Sequence, residues 1–140
     1  MEDNPDDEML TIRALKKNHF NTEVVVLRDG VEALNFLFCR GEYQDRDIDH
    51  QPILILLDLK LPKVDGIEVL QKLHADERMR LLPVVVLTTS NEQADITASY
   101  QYGAKSYVRK PVDFKEFTNT IGQLGKYWLT INNTVYGQTD

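Results

Sequence analysis

Short aliphatic runs alternate along this chain with longer stretches whose apolar positions recur every three or four residues. Ile53 to Leu57 is five aliphatic residues in a row, and a run that short predicts a strand buried on both faces rather than a helix. It stops at Asp58, and Pro62 followed by Asp65-Gly66 turns the chain out of the sheet toward a helix. Pro83 to Leu87 repeats the pattern and ends at Thr88-Thr89-Ser90, while Lys105 to Arg109 is a shorter strand leading into Lys110-Pro111. Glu23 to Leu27 is β-branched and predicts a further strand. Between these lie the helical stretches. Asn4-Pro5 caps the first, with Asp6, Asp7 and Glu8 in the turn where the helix dipole favours negative charge. Met9, Ile12 and Leu15 stripe it to about His19. Val31, Leu34 and Leu37 or Phe38 mark a second helix after the turn Arg28-Asp29-Gly30, and Ile67, Leu70 and Leu73 a third. Ile96 and Tyr100 belong to a fourth that Gly103 stops, and Phe114, Phe117, Ile121, Leu124, Trp128 and Ile131 to a last. Gly41 to Gln51 is polar and acidic, a loop.

Strands alternating with helices predict an α/β fold: a doubly wound parallel sheet with helices on both faces. One domain is expected over residues 1–140, with a sizeable core and no output domain. One element of the pattern is missing. A domain of this type should open on a strand, yet Met1-Glu2-Asp3 stands directly before the first helix. Either translation starts earlier than the given Met1, which would occupy a strand-ending position, or the chain is a truncated record; truncation is the expectation.

Lys and Arg total 16 against 22 Asp and Glu, a net charge of −6. With no basic stripe, the balance argues against a nucleic-acid surface, which needs clustered cations to release counterions. No apolar stretch is long enough to span a bilayer and no secretory pattern opens the chain, so cytoplasm is the expected compartment. The single Cys39 cannot form an internal disulfide and is expected to pack as a small hydrophobe after Phe36-Leu37-Phe38.

In a parallel α/β sheet the C-terminal ends of all strands open on one rim. The residues placed there are Glu2 and Asp3, Asp58, Thr88 and Lys110. A lone Asp at a strand end is more often just a turn cap, but three carboxylates, a hydroxyl and an ammonium on one rim overturn that reading. Crowded carboxylates repel unless compensated. Mg2+ suits such a set, because it accepts one or two carboxylates and keeps several waters, and Lys110 adds a compact second charge. The chemistry that fits is phosphoryl transfer onto Asp58, with Thr88 donating to a phosphoryl oxygen. Tyr107 reads about equally as a half-buried strand aromatic and as a rotameric switch. His19, His50 and His74 are too far apart in sequence to point to a metal cluster.

These residues carry a resemblance. Glu2-Asp3-Asn4, Leu57-Asp58-Leu59-Lys60-Leu61-Pro62 with Asp65-Gly66, Leu87-Thr88-Thr89, Tyr100-Gln101-Tyr102-Gly103-Ala104, Tyr107 and Lys110-Pro111 together resemble the receiver domain of two-component response regulators. The likeness runs over nearly the whole chain. It implies a flavodoxin-like sheet of order 2-1-3-4-5, of which the first strand is the missing one. It implies Mg2+ held by Asp3, Asp58 and the Lys60 backbone carbonyl, with Glu2 acting through water. It further implies Asp58 as phosphoacceptor, Thr88 and Lys110 beside it, and Tyr107 as the switch aromatic. The implied function is signalling rather than catalysis. A histidine kinase or phosphotransfer protein would phosphorylate Asp58 and so reshape a protein-interaction face made by the fourth helix, last strand and last helix. The loop 41–51 and the ending Tyr127-Trp128-Leu129-Thr130 are similar to single-domain regulators serving phytochrome-type and hybrid histidine kinases.

The spacing from Phe114 to Ile131 alternates between three and four, and its continuation through Trp128 exceeds what one small sheet covers. That predicts a homodimer through the last helix. Other readings remain open. A receiver-like docking module that is never phosphorylated would share the fold. A dehalogenase-type phosphatase would want an acid at position 60, where Lys60 stands, and a flavin protein would want a Ser/Thr-rich loop at Glu2-Asp3-Asn4.

Overall fold

A computed structural model describes residues 1, 6, 9, 11–13, 16, 25–52, 54–61, 63–110 and 113–127. Its sheet contains β1 (Ile55–Leu57), β2 (Val84–Thr88) and β3 (Ser106–Arg109) in the order β1-β2-β3, all parallel. Ile55 faces Val84, Leu57 faces Val86, Val85 faces Ser106 and Thr88 faces Arg109. Parallel neighbours need crossover helices. These are α2 (Gly66–Ala75) between β1 and β2, and α3 (Gln93–Gln101) between β2 and β3. Helix α1 (Gly30–Phe38) precedes β1, and α4 (Phe114–Gly125) follows β3. The residues described within the expected first helix are helical.

The aliphatic runs split between two faces because strand side chains alternate. Ile55, Leu57, Val84 and Val86 join Leu34 and Leu37 of α1 and Val69, Leu70 and Leu73 of α2 in the larger core layer. Leu87 instead packs with Phe117 and Ile121 of α4, with Leu56 and Val108 partly buried beside them. The sheet is therefore covered on both sides, as the element pattern predicted. Aspartates set where three of the helices begin: Asp29 accepts from Glu32 N at 2.8 Å, Asp65 from Glu68 N at 3.0 Å, and Asp113 from Lys115 N at 2.7 Å.

Met1 stands beside β1. Its amino group donates to Leu56 O at 2.8 Å, and Asp58 N donates to Met1 O at 3.2 Å. Those two bonds flank Leu57 in the pattern of a parallel bridge, so Met1 occupies a strand-ending position next to the site.

Two expectations need correction. The strand expected over Glu23–Leu27 shows no ladder at residues 25–27. In the implied order its neighbour is the first strand, and a ladder exists only where a partner lies alongside. Cys39 is not a core residue. It closes α1 in the left-handed conformation (φ 56), half-exposed, with Sγ 3.6 Å from Arg46 Nη1. The helix has to end there, and Leu37 takes the core position instead. Pro111, Trp128 and Ile131 lie outside the described residues, as do Glu2, Asp3 and His19; His50 and His74 are exposed.

Candidate functional site: a carboxylate and an ammonium at the sheet rim

The three described strands each deliver one polar side chain to the same end of the sheet. Asp58 is the residue after β1, Thr88 the last of β2, and Lys110 the residue after β3. The last β2–β3 pair, Thr88 with Arg109, carries a bond from Lys110 N to Thr88 O at 2.7 Å, which fixes the Lys110 backbone beside Thr88. Lys110 Nζ then reaches Asp58 Oδ2 at 2.8 Å, and Thr88 Oγ1 donates to Asp58 Oδ1 at 3.1 Å. The backbone N–H of Lys60 also donates to Oδ1, at 3.1 Å. The Lys110 side chain is 5% exposed and that of Asp58 11%, so the pair is largely sheltered while the carboxylate retains an opening to water. Thr88 is fully buried.

Burial pushes the Asp58 carboxyl up. The hydrogen bond from Lys110, the Lys60 N–H, the attraction of the ammonium and the Thr88 hydroxyl together outweigh it, holding the group below the usual aspartate range. Asp58 is therefore an anion at neutral pH.

The loop leaving Asp58 is fixed closely. Gly66 N donates to Leu59 O at 2.8 Å. A Cβ on Gly66 would stand 2.5 Å from Leu59 Cα and 2.6 Å from Asp58 O, so only glycine lets α2 begin this near the acceptor. Lys63 takes a left-handed conformation (φ 66) in the same loop, and its Nζ lies 3.4 Å from Asp29 Oδ2.

Tyr107, on β3, is half-buried, and its hydroxyl donates to Ser90 O at 2.8 Å. Ser90 N in turn lies 3.4 Å from Thr88 Oγ1, a long bond. A chain of polar contacts thus runs from Asp58 through Thr88 and Ser90 to Tyr107. Ser90 was not singled out in the sequence. The available signal was a small hydroxyl residue two places beyond the strand-ending Thr88, with an acid, Asp95, five residues on.

The structure brings Asp58, Thr88 and Lys110 together, places the Lys60 backbone against the carboxylate, and links Tyr107 through Ser90. Glu2 and Asp3 follow Met1, whose backbone is bonded on both sides of Leu57. Among the described residues there is no group of three or more His, Cys, Asp or Glu that could hold a metal ion. Asp58 itself fits a hard cation. A carboxylate offers about four lone-pair sites, and the bonds from Lys60, Thr88 and Lys110 use three of them.

Residues 1–122 match the family model described as the response regulator receiver domain. The chain is 40% identical over 134 residues to the probable methanogenesis regulatory protein FilR2 of Methanothrix harundinacea, covering 96% of this chain and 84% of that protein. The crystal structure of the phosphorylated cyanobacterial phytochrome response regulator RcpA superposes with a TM-score of 0.89 at 37% identity, over 96% of this chain and 94% of RcpA. The Mn2+-bound form of Rcp1 gives 0.88 at 36% identity, over 96% and 94%. Rcp1 of Synechocystis is 38% identical over 129 residues, covering 92% of this chain and 86% of that protein. With a flavodoxin-like parallel sheet and a lysine-bound aspartate on its rim, the chain belongs to the response regulator receiver family.

Proposed function

We propose that Asp58 accepts a phosphoryl group from a histidine kinase or phosphotransfer protein, and that the resulting charge change switches a protein-interaction face. The observation that carries this is the 2.8 Å contact of Lys110 Nζ with Asp58 Oδ2 on an anionic carboxylate that still opens to water. In the transfer, a carboxylate oxygen of Asp58 forms a bond to phosphorus while the donor's nitrogen–phosphorus bond breaks and its electron pair returns to the imidazole. Lys110 offsets the charge spread over the phosphoryl oxygens, and the Thr88 hydroxyl donates to one of them instead of to Oδ1. Asp58, the Lys60 carbonyl and Asp3 would hold Mg2+, with Glu2 acting through water. When bound, the cation supplies further charge neutralisation at the phosphoryl oxygens.

Movement of Thr88 toward the new group draws on its contact with Ser90, and through Ser90 on the Tyr107 hydroxyl. The reading is a population shift between two arrangements, driven by contacts that only the phosphorylated form makes. The likeness to RcpA, a phytochrome response regulator, supports a phytochrome-type sensor kinase as donor. The apolar spacing that the sequence continues from Phe114 to Ile131 supports a homodimer, as does the exposure of Tyr100, on α3, and of Tyr127, just beyond α4.

Incubation with acetyl phosphate and Mg2+ tests the reading. One phosphoryl group per chain by intact mass, absent from Asp58→Asn, is the expected result. No uptake points to a docking module, and continued release of phosphate over many turnovers points to a phosphatase.

A further inference from the structure

Helix α3 is held to the domain differently from α2. Helix α2 buries Val69, Leu70 and Leu73, whereas the buried residue of α3 is Ser99. With so little apolar surface removed from water, the position of α3 rests on polar bonds. At its start the capping residue Glu92 makes no side-chain cap bond; Ser90 Oγ instead donates to Asp95 Oδ2 at 2.6 Å and accepts from Glu92 N at 3.3 Å. Near its end, Tyr107 N donates to Tyr100 OH at 3.2 Å.

Ser90 is the meeting point. Its N–H faces Thr88 Oγ1, its carbonyl accepts from Tyr107, and its hydroxyl serves both Asp95 and Glu92. It is 9% exposed, so each of these groups depends on a protein partner.

We propose that Ser90 is the positioning residue that ties α3 to the acceptor site, its hydroxyl bond to Asp95 fastening the helix where apolar packing does not. A change at Asp58 reaches Thr88 directly, Ser90 through Thr88, and α3 through Asp95. The first part of this inference concerns the resting protein; the response to phosphorylation rests on the reading of Asp58 given above.

Amide hydrogen exchange in the full chain tests it. In Ser90→Ala and in Asp95→Ala, amides of residues 93–101 should exchange about tenfold faster than in the wild type, the scale of one lost charge-assisted bond. Those of α2 should not change. The double variant should be no faster than the faster single variant, because both remove the same bond. Ser90→Thr, which keeps the hydroxyl, should restore protection. Unchanged exchange in α3, additive effects, an equal rise in α2, or failure of threonine to rescue overturns the proposal. Loading with beryllium fluoride and Mg2+ provides the second arm. The wild type should change its α3 exchange and Ser90→Ala should not, although acetyl phosphate still labels it; an equal response in both, or none in the loaded wild type, overturns the coupling. Should the wild type take up no phosphoryl group at all, the acceptor reading fails, while the resting-state arm still decides the role of Ser90.

Discussion

Replacing Thr88 with valine exchanges a hydroxyl for a methyl group while preserving the β-branched shape that β2 accommodates, so the perturbation is confined to hydrogen bonding. Two contacts are lost. The bond to the ionised Asp58, at 3.1 Å, is of the charge-assisted kind worth about 1.5–3 kcal/mol. The contact with Ser90 N is 3.4 Å long and therefore weak, but its loss leaves a buried N–H unpaired. A net loss of about 2–3 kcal/mol at pH 7 follows. Urea unfolding should show it as a lower midpoint at unchanged slope. The pH dependence carries a sign. Burial raises the Asp58 pKa, and the bonds from Lys110, Lys60 N–H and Thr88 together bring it below the ordinary value. A group depressed in this way contributes stability that is present above its unfolded pKa of about 3.9 and is lost as the pH falls through its folded value. Valine removes one of the depressing bonds, so the gap between wild type and variant should be full at pH 7 and narrow below about pH 4. A gap under about 0.5 kcal/mol at neutral pH, or one that widens in acid, would refute the assigned bond.

Gly66→Ala drives a Cβ against the backbone of Leu59 and Asp58 and should cost at least about 1–3 kcal/mol in urea unfolding while slowing labelling by acetyl phosphate. Gly30→Ala should be worse, since its Cβ would stand 1.8 Å from Val64 O. Lys110→Met should let the Asp58 carboxyl titrate higher than in the wild type, measured by carbon-detected NMR, because burial then meets fewer opposing bonds. Trp128→Ala should lower the oligomeric mass in light scattering from dimer to monomer; an unchanged mass contradicts the last-helix interface.

The rim was legible because an aliphatic run that stops at a polar residue marks both the end of a strand and the edge to which it delivers that residue. Asp58, Thr88 and Lys110 are each such a residue, and parallel pairing then brings together positions 30 and 52 residues apart in sequence. What escaped was set by non-local partners. The ladder expected at Glu23–Leu27 depends on a neighbour that its own β-branched pattern cannot supply. The partners of Ser90, reached by its hydroxyl and its backbone, lie on the helix that follows it and on another strand, and such contacts leave no periodic trace. For Tyr107 the sequence left two roles open, because strand propensity places an aromatic on β3 without fixing where its hydroxyl points. Cys39 was misread because an apolar stretch does not announce which of its members will close the helix.

Borohydride trapping shows which side chain carries the phosphoryl group. After treatment with acetyl phosphate and Mg2+, reduction converts an aspartyl phosphate to homoserine, which peptide mass spectrometry locates. The account predicts homoserine at position 58 and nowhere else, with none formed when the phosphodonor is omitted. Reduction at another aspartate, or a phosphoryl group that resists borohydride because it sits on a hydroxyl or a histidine, would contradict it.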